Sequence, residues 1–242
     1  MEDVLYPDND KRKVRMLQLA NDIATLLNDL ANDAASIKRL FEQVDETIKG
    51  MYSAIEVDIP PSRIKKFEYL GWAVETTDIL SAFIVFPLAI TALQRCAVSW
   101  LLREGRVGEA VFYEAVGLTW LKFGVTAGAF VVTFGAELAI DGIAGEVKRQ
   151  KLRHGIHRSI KPRIQLKHAA IVNGKIRDKL NSVVDACQMM LQLGYTQEQL
   201  DQAQATMAAE FKQEVSEITD ETAKQELHDL DKHRHSWTKE DH

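Results

Sequence analysis

The 242-residue chain has few of the residues that interrupt helices or build covalent frameworks. Five prolines, thirteen glycines and scarce alternation of apolar and polar residues disfavour a fold rich in strands and turns. The two cysteines, Cys96 and Cys187, have neither the spacing of a zinc site nor that of a redox motif. We interpret them as small buried residues and keep a disulfide between them as the alternative.

Motifs of enzymes and cofactor sites are also absent. The sequence contains no phosphate-binding loop, dinucleotide-binding glycine motif, zinc-protease motif, hydrolase nucleophile motif or calcium-binding loop. His228, His233 and His235 cluster near the end without a frame of fixed ligands and are interpreted as part of a solvated tail. A net charge of −5 disfavours general nucleic-acid binding. We therefore expect no enzyme activity, no cofactor, no metal and no nucleic-acid partner.

What the sequence does contain is long helical periodicity. From Asp10 to about Val57 the pattern is helical, and from Ile23 to Ile55 apolar residues recur at alternating steps of four and three, which is the pattern of a coiled-coil seam. The seam predicts either packing inside a bundle or oligomerisation. Its principal members are Ile23, Leu27, Leu30, Ile37, Phe41, Val44 and Ile48.

Further helices are predicted on both sides of the middle of the chain. After Pro60-Pro61, a second helix is expected to begin near Ser62. A fourth is expected from about Arg163 to Leu193, ended by Gly194, and a fifth over about 196–234, with residues 235–242 frayed. The fold class predicted is all-α: an elongated bundle of about five long helices with a central hydrophobic helical hairpin, forming one domain over 1–242.

The central segment, 78–145, is the apolar head of this predicted domain. Residues 79–94 are sixteen residues without a charge, and residues 115–136 carry a single charge, Lys122. Two such helices joined by a polar turn have the length needed to cross a bilayer. Three interpretations stay open: a permanent transmembrane pair, a buried pair inside a bundle, and a pair that is stored in water and inserts on meeting lipid.

The third interpretation accounts best for the charges scattered among the apolar residues. Proline and glycines within the pair would allow it to repack. The residues predicted to enter the membrane are Ile79, Phe83, Ile84, Phe86, Pro87, Leu88, Gly124, Gly128, Phe130, Val131 and Phe134.

A basic stretch follows the apolar head. Between Lys148 and Arg177 there are ten lysines and arginines and no acidic residue. Such a run either pairs with acidic helices of the same protein or contacts anionic lipid headgroups. The headgroup candidates are Lys148, Arg149, Lys151 and Arg153. No signal peptide is recognised at Met1–Pro7, so we expect a soluble chain, cytoplasmic or secreted without a cleaved leader, and membrane-associated when active.

This layout resembles the cytolysin A-type α-helical pore-forming toxins and the related helical components of Bacillus enterotoxins. The resemblance lies in the heptad run, the apolar pair and the long helix after Thr196, although this chain is shorter and its apolar head is a larger share of it. It implies a protein that binds a lipid membrane, inserts the hairpin and assembles with copies of itself, with a second protein component as an option. The alternative is a coiled-coil interaction or scaffold protein whose apolar hairpin stays buried.

Overall fold

The computed structural model describes residues 6–57, 64–69, 72–77 and 145–238. These residues are mostly helical, which confirms the all-α class in its coarse form. The described ranges hold four helices rather than about five, together with one pair of strands. The helices are α1 (Asn9–Ala54), α2 (Gly145–Leu193), α3 (Gln197–Ser216) and α4 (Asp220–Asp231), and the strands are β1 (Ile64–Tyr69) and β2 (Trp72–Thr77).

Helix α1 forms where the heptad pattern predicts it and is 46 residues long. It ends in a tight turn in which the Val57 N–H donates to the Tyr52 carbonyl at 3.0 Å. Glu56 adopts a φ of 56° in this turn, a left-handed conformation that costs a residue with a side chain about 1–2 kcal/mol. The helix therefore stops before Pro60, at a position where glycine is the usual residue.

The prediction that a second helix begins near Ser62 is wrong. Ile64–Tyr69 and Trp72–Thr77 instead form an antiparallel hairpin in which Phe67 pairs with Val74. Both strands are rich in β-branched and aromatic residues, which favour extended backbone. They are separated in sequence by two residues, one of them a glycine, which is a hairpin signal. The helical spacing of the apolar residues here was coincidental.

Helix α2 begins eighteen residues earlier than predicted and runs for 49 residues, through Gly155 and Pro162. Proline in a helix interior removes one hydrogen bond and costs about 3 kcal/mol. The apolar residues on both sides of it, including Leu152, Ile156 and Leu166, are buried, and such tertiary packing outweighs local propensity. Gly194 ends the helix with a φ of 68°, as predicted.

The fifth helix predicted over 196–234 is divided into α3 and α4. The predicted start is confirmed: the Thr196 side chain caps α3 and Gln199 bonds back to the Thr196 backbone. A second capping box, made by Thr219 and Thr222, starts α4. The acidic residues after Thr219 strengthen that start, because they lie at the positive end of the helix dipole.

The chain forms two compact units, and α1 and α2 contribute to both. Unit 1 comprises Met1–Ala31, Leu93–Ala170 and Thr219–His242. In unit 1, the Asn9 side chain donates to the Gly145 carbonyl at 3.2 Å, and Asp22 meets Arg163 at 2.6 Å. These two contacts make the unit 1 portions of α1 and α2 parallel.

Unit 2 comprises Asn32–Ala92 and Ile171–Ile218. Within it, Arg177 of α2 donates to Asp33 of α1 at 2.8 Å, and Lys179 donates to Glu214 of α3 at 3.2 Å. Phe41, Val44, Ile48, Leu180 and Phe211 contribute to its buried apolar core.

Candidate functional site

The residues predicted to enter a membrane lie outside the described residues: Ile79, Phe83, Ile84, Phe86, Pro87, Leu88, Gly124, Gly128, Phe130, Val131 and Phe134. Cys96 lies outside them as well, whereas Cys187 is a buried free thiol. Within the ranges that the structure describes, no helix combines the length and the apolar character needed to cross a membrane.

The predicted seam of α1 is buried within the chain. The exposed fractions of its members lie between 0 and 4 %. Ile23, Leu27 and Leu30 belong to unit 1, and Ile37, Phe41, Val44 and Ile48 belong to unit 2. These side chains can contact a second protein only if the helices separate.

The predicted headgroup residues lie in the first turns of α2, which belong to unit 1. Lys151 is exposed, whereas Lys148, Arg149 and Arg153 are partly buried. Arg149 also donates to Glu146 at 3.2 Å, one turn earlier in the same helix. Four basic side chains thus lie on consecutive turns with different degrees of access to solvent.

Much of the remaining basic stretch pairs with acidic residues of the same chain. In unit 1, Lys167 pairs with Glu226 at 2.7 Å, and His168 contacts Asp220 at 2.8 Å. In unit 2, Lys175 lies 3.8 Å from Glu214. Intramolecular pairing, one of the two alternatives for this stretch, is therefore what these residues show.

Unit 1 contains a buried cluster of charged side chains that the sequence analysis did not predict. It brings together Arg15 of α1, Arg163 of α2 and Asp231 at the end of α4, with Asp22 and Arg234 at its edge. Arg15 is 0 % exposed, Arg163 is 3 % exposed and Asp231 is 7 % exposed. We call these five residues the arginine–aspartate cluster.

Asp231 is the centre of the cluster. Arg15 donates to both of its carboxylate oxygens, at 2.8 and 2.7 Å, and Arg163 also donates to both, at 2.7 and 3.0 Å. Arg234 adds a longer bond of 3.3 Å. A carboxylate has about four lone-pair sites, so Asp231 is fully satisfied.

The charges of the cluster change the acid–base properties of its members. Burial would raise the pKa of Asp231, but the hydrogen bonds from Arg163 and Arg15 outweigh burial and hold that pKa below its usual value. Burial lowers the pKa of Arg15 to about 10, and its hydrogen bond to Asp231 only partly opposes this. Arg15 is thus still charged at neutral pH.

The segment after α4 completes the cluster, so residues 235–238 are not the frayed end that the sequence predicted. The Trp237 ring stacks on the Arg15 guanidinium, whose central carbon lies 3.1 Å from the ring centroid. Ser236 donates to Gln18, and Ser236 and Thr238 are both buried. A cation–π contact and burial therefore fix this segment onto unit 1.

A cavity of about 490 Å³ lies beside the cluster, within unit 1. Ile160, Ile164, Leu227 and Trp237 form its apolar wall. The polar residues that line it are Arg163, Lys224, His228, Asp231, Lys232 and Arg234. The cavity thus combines an apolar surface with a group of mostly basic side chains.

Sequence signals for the cluster existed but were weak. Arg15 lies four residues before the buried Leu19, so helical geometry places the two residues on the same face of α1. Trp237 is a large aromatic residue in an otherwise polar segment, which is unusual for a frayed end. Which aspartate would meet these residues depends on contacts between positions more than 200 residues apart.

The chain matches no protein-family model, no curated protein and no solved structure. Among the described residues, no group of three or more histidine, cysteine, aspartate or glutamate side chains could hold a metal ion.

Proposed function

We propose that this protein acts on lipid membranes through its apolar segment, residues 79–136, and that the helices on either side carry this segment. In the fuller form of the proposal, the segment inserts as a hairpin and several copies assemble into a pore, as the cytolysin-like layout implies. The observation that carries the proposal is the contrast between this segment and the rest of the chain.

The contrast is one of charge and of burial. The segment contains sixteen consecutive residues without a charge and then twenty-two with a single lysine. The long helix before it buries its heptad seam within the chain, with no seam side chain exposed by more than 4 %. Large apolar side chains exposed on the described helices are few, as is usual for protein surfaces.

The energetic comparison favours insertion of such a segment. Transfer of ten leucine-sized side chains out of water contributes about 20 kcal/mol, at about 2 kcal/mol for each. Placing one or two charges at the centre of a bilayer costs about 3 kcal/mol for each. Burial of the apolar side chains therefore outweighs the cost of Arg95 and Lys122.

Dye release from vesicles tests the proposal with a matched pair of variants. Val131→Lys places a charge in the middle of the twenty-two-residue run, whereas Val14→Lys places one at a side chain of α1 that is 47 % exposed. We expect the wild-type chain to release dye, Val131→Lys to be about 100-fold weaker because about 3 kcal/mol opposes its insertion, and Val14→Lys to match the wild type. Phosphatidylcholine vesicles with and without phosphatidylglycerol give the dependence on anionic lipid.

Two results would refute the membrane proposal. One is a wild-type chain that neither binds nor permeabilises vesicles of either composition. The other is equal dye release by Val131→Lys and the wild type, because insertion cannot be indifferent to a lysine at that position.

An interaction protein is the second candidate, and a different feature of unit 2 favours it. Met189 and Leu193, one helical turn apart near the end of α2, are 55 and 64 % exposed. Neighbouring exposed apolar side chains are typical of a surface that contacts another protein. This candidate predicts a stable complex with a partner protein that is lost in Leu193→Ser and retained in Val14→Lys, which changes an exposed side chain of α1.

A further inference from the structure

The arginine–aspartate cluster contains more positive than negative charge. Three guanidinium groups, from Arg15, Arg163 and Arg234, share the two carboxylates of Asp22 and Asp231. Arg15 and Arg163 are almost fully buried, so water does not disperse the excess charge. An excess of buried positive charge is unfavourable, and among the described residues one further anion would balance the cluster.

The cavity beside the cluster gives such an anion a place. Arg163 lines this cavity, and its Nε has no hydrogen-bond partner although the residue is only 3 % exposed. Lys224 and Lys232 add positive charge to the lining, and each is also paired with an acidic neighbour on α4, Glu221 and Asp229. An excess of positive charge therefore borders a space that also has an apolar wall.

We propose that this cavity binds a small organic anion: a carboxylate, sulfonate or phosphate monoester carried by an apolar acyl or aryl body. The anionic group lies among the cationic side chains of Lys224, Lys232 and Arg234, and the apolar body lies against Ile160, Ile164 and Leu227. The volume of about 490 Å³ is within the range of about 300–1,000 Å³ that small-molecule sites occupy. Charge and apolar contact are both required, and this requirement makes the proposal testable without knowledge of the natural ligand.

Isothermal titration of the full-length chain with decanoate tests the requirement, with decanol and acetate as matched controls. Decanol keeps the apolar body without the charge, and acetate keeps the charge without the apolar body. We expect one decanoate per chain, bound at least about tenfold more tightly than either control. Decanol binding as tightly as decanoate, or no saturable binding of decanoate, would overturn the proposal.

Variants of the lining locate the site. Ile164→Trp fills the cavity and should weaken decanoate binding at least about tenfold, whereas Ile164→Val keeps the cavity open and should preserve binding. Lys224→Gln combined with Lys232→Gln should weaken binding by about three- to tenfold, and Lys212→Gln, on an exposed position of α3, should have no effect. Unchanged affinity in Ile164→Trp places the binding elsewhere and refutes the assignment.

The lysine pair keeps the test decisive if Ile164→Trp does not fold, because Lys224 and Lys232 are about half exposed. Unchanged affinity in the double lysine variant then refutes the assignment. Competition with phosphatidylglycerol vesicles separates the two sources of such an anion. Displacement of decanoate identifies a lipid as the source of the anion, and lack of displacement identifies a free small molecule. The cavity is the binding site in either case.

Discussion

Asp231 connects three parts of the sequence through one carboxylate. It accepts hydrogen bonds from Arg15 and Arg163, each of which reaches both of its oxygens. Arg15 and Arg163 are almost fully buried, and this carboxylate compensates the charge of both, with Asp22 as a second partner of Arg163. The cost of losing a partner in a buried ion pair is larger than the net benefit of making the pair.

Replacing Asp231 with asparagine should therefore destabilise the protein strongly. We expect Asp231→Asn to lower the free energy of unfolding by about 3 kcal/mol, because it leaves two buried guanidinium groups short of negative charge. Urea unfolding followed by circular dichroism measures the change. Asp229→Asn is the matched control, since Asp229 lies on the same helix, is exposed, and pairs with the exposed side chains of Gln225 and Lys232. A similar midpoint for the two variants would contradict the central role of Asp231.

Helix α4 depends on its N-terminal cap, because it is only twelve residues long. Helices shorter than about 12–15 residues are marginal on their own, so caps and packing decide whether they form. Thr219 accepts a hydrogen bond from the Thr222 N–H, and Thr222 bonds back to the Thr219 backbone. This cap also fixes the start of the element that carries Asp231.

Removing the cap should have a measurable cost, whereas removing a threonine inside α3 should not. We expect Thr219→Ala to lower the free energy of unfolding by about 1 kcal/mol. Thr206→Ala should leave it unchanged or slightly higher, because the Thr206 hydroxyl only bonds the Gln202 carbonyl one turn earlier and alanine is the better helix former. Chemical denaturation of both variants compares them, and equal losses would show that Thr219 contributes no capping energy.

At the scale of helices and strands, features that depend on one local signal were predicted correctly. A segment that carries two conflicting signals was not. The extent of α1, the cap at Thr196 and the end at Gly194 follow from short stretches of sequence whose chemistry admits one outcome. The hairpin at 64–77 was missed because the same residues carry both a helical spacing and β-type composition. The cluster was missed because its pairs join positions such as 15 and 231, which no local pattern relates.

The stability of the whole molecule should depend on acidity through Asp231. The pKa of Asp231 is lower in the folded protein than in an unfolded chain, where an aspartate has a pKa of about 3.9. The stabilisation is therefore fully present above that unfolded value and is lost as the pH falls through the lower folded value. Protonation of Asp231 should therefore contribute to the unfolding of the protein by acid.

Urea midpoints measured from neutral pH to about pH 3 test this dependence. We expect the wild-type midpoint to fall steeply below about pH 4 and the Asp231→Asn midpoint to be lower throughout but flatter in that range. The difference between the two curves isolates Asp231 from the other carboxylates. Curves that stay parallel down to the lowest pH would contradict the assignment.

The reactivity of Cys187 reports how often unit 2 opens locally. Its side chain is 0 % exposed, and burial raises the pKa of its thiol to about 11, so the reactive thiolate is scarce in the folded state. An alkylating reagent can modify this sulfur only during moments when the surrounding helices part. In a chain carrying Cys96→Ser, the rate of that modification therefore measures how often α2 is uncovered around Cys187, without introducing a new cysteine.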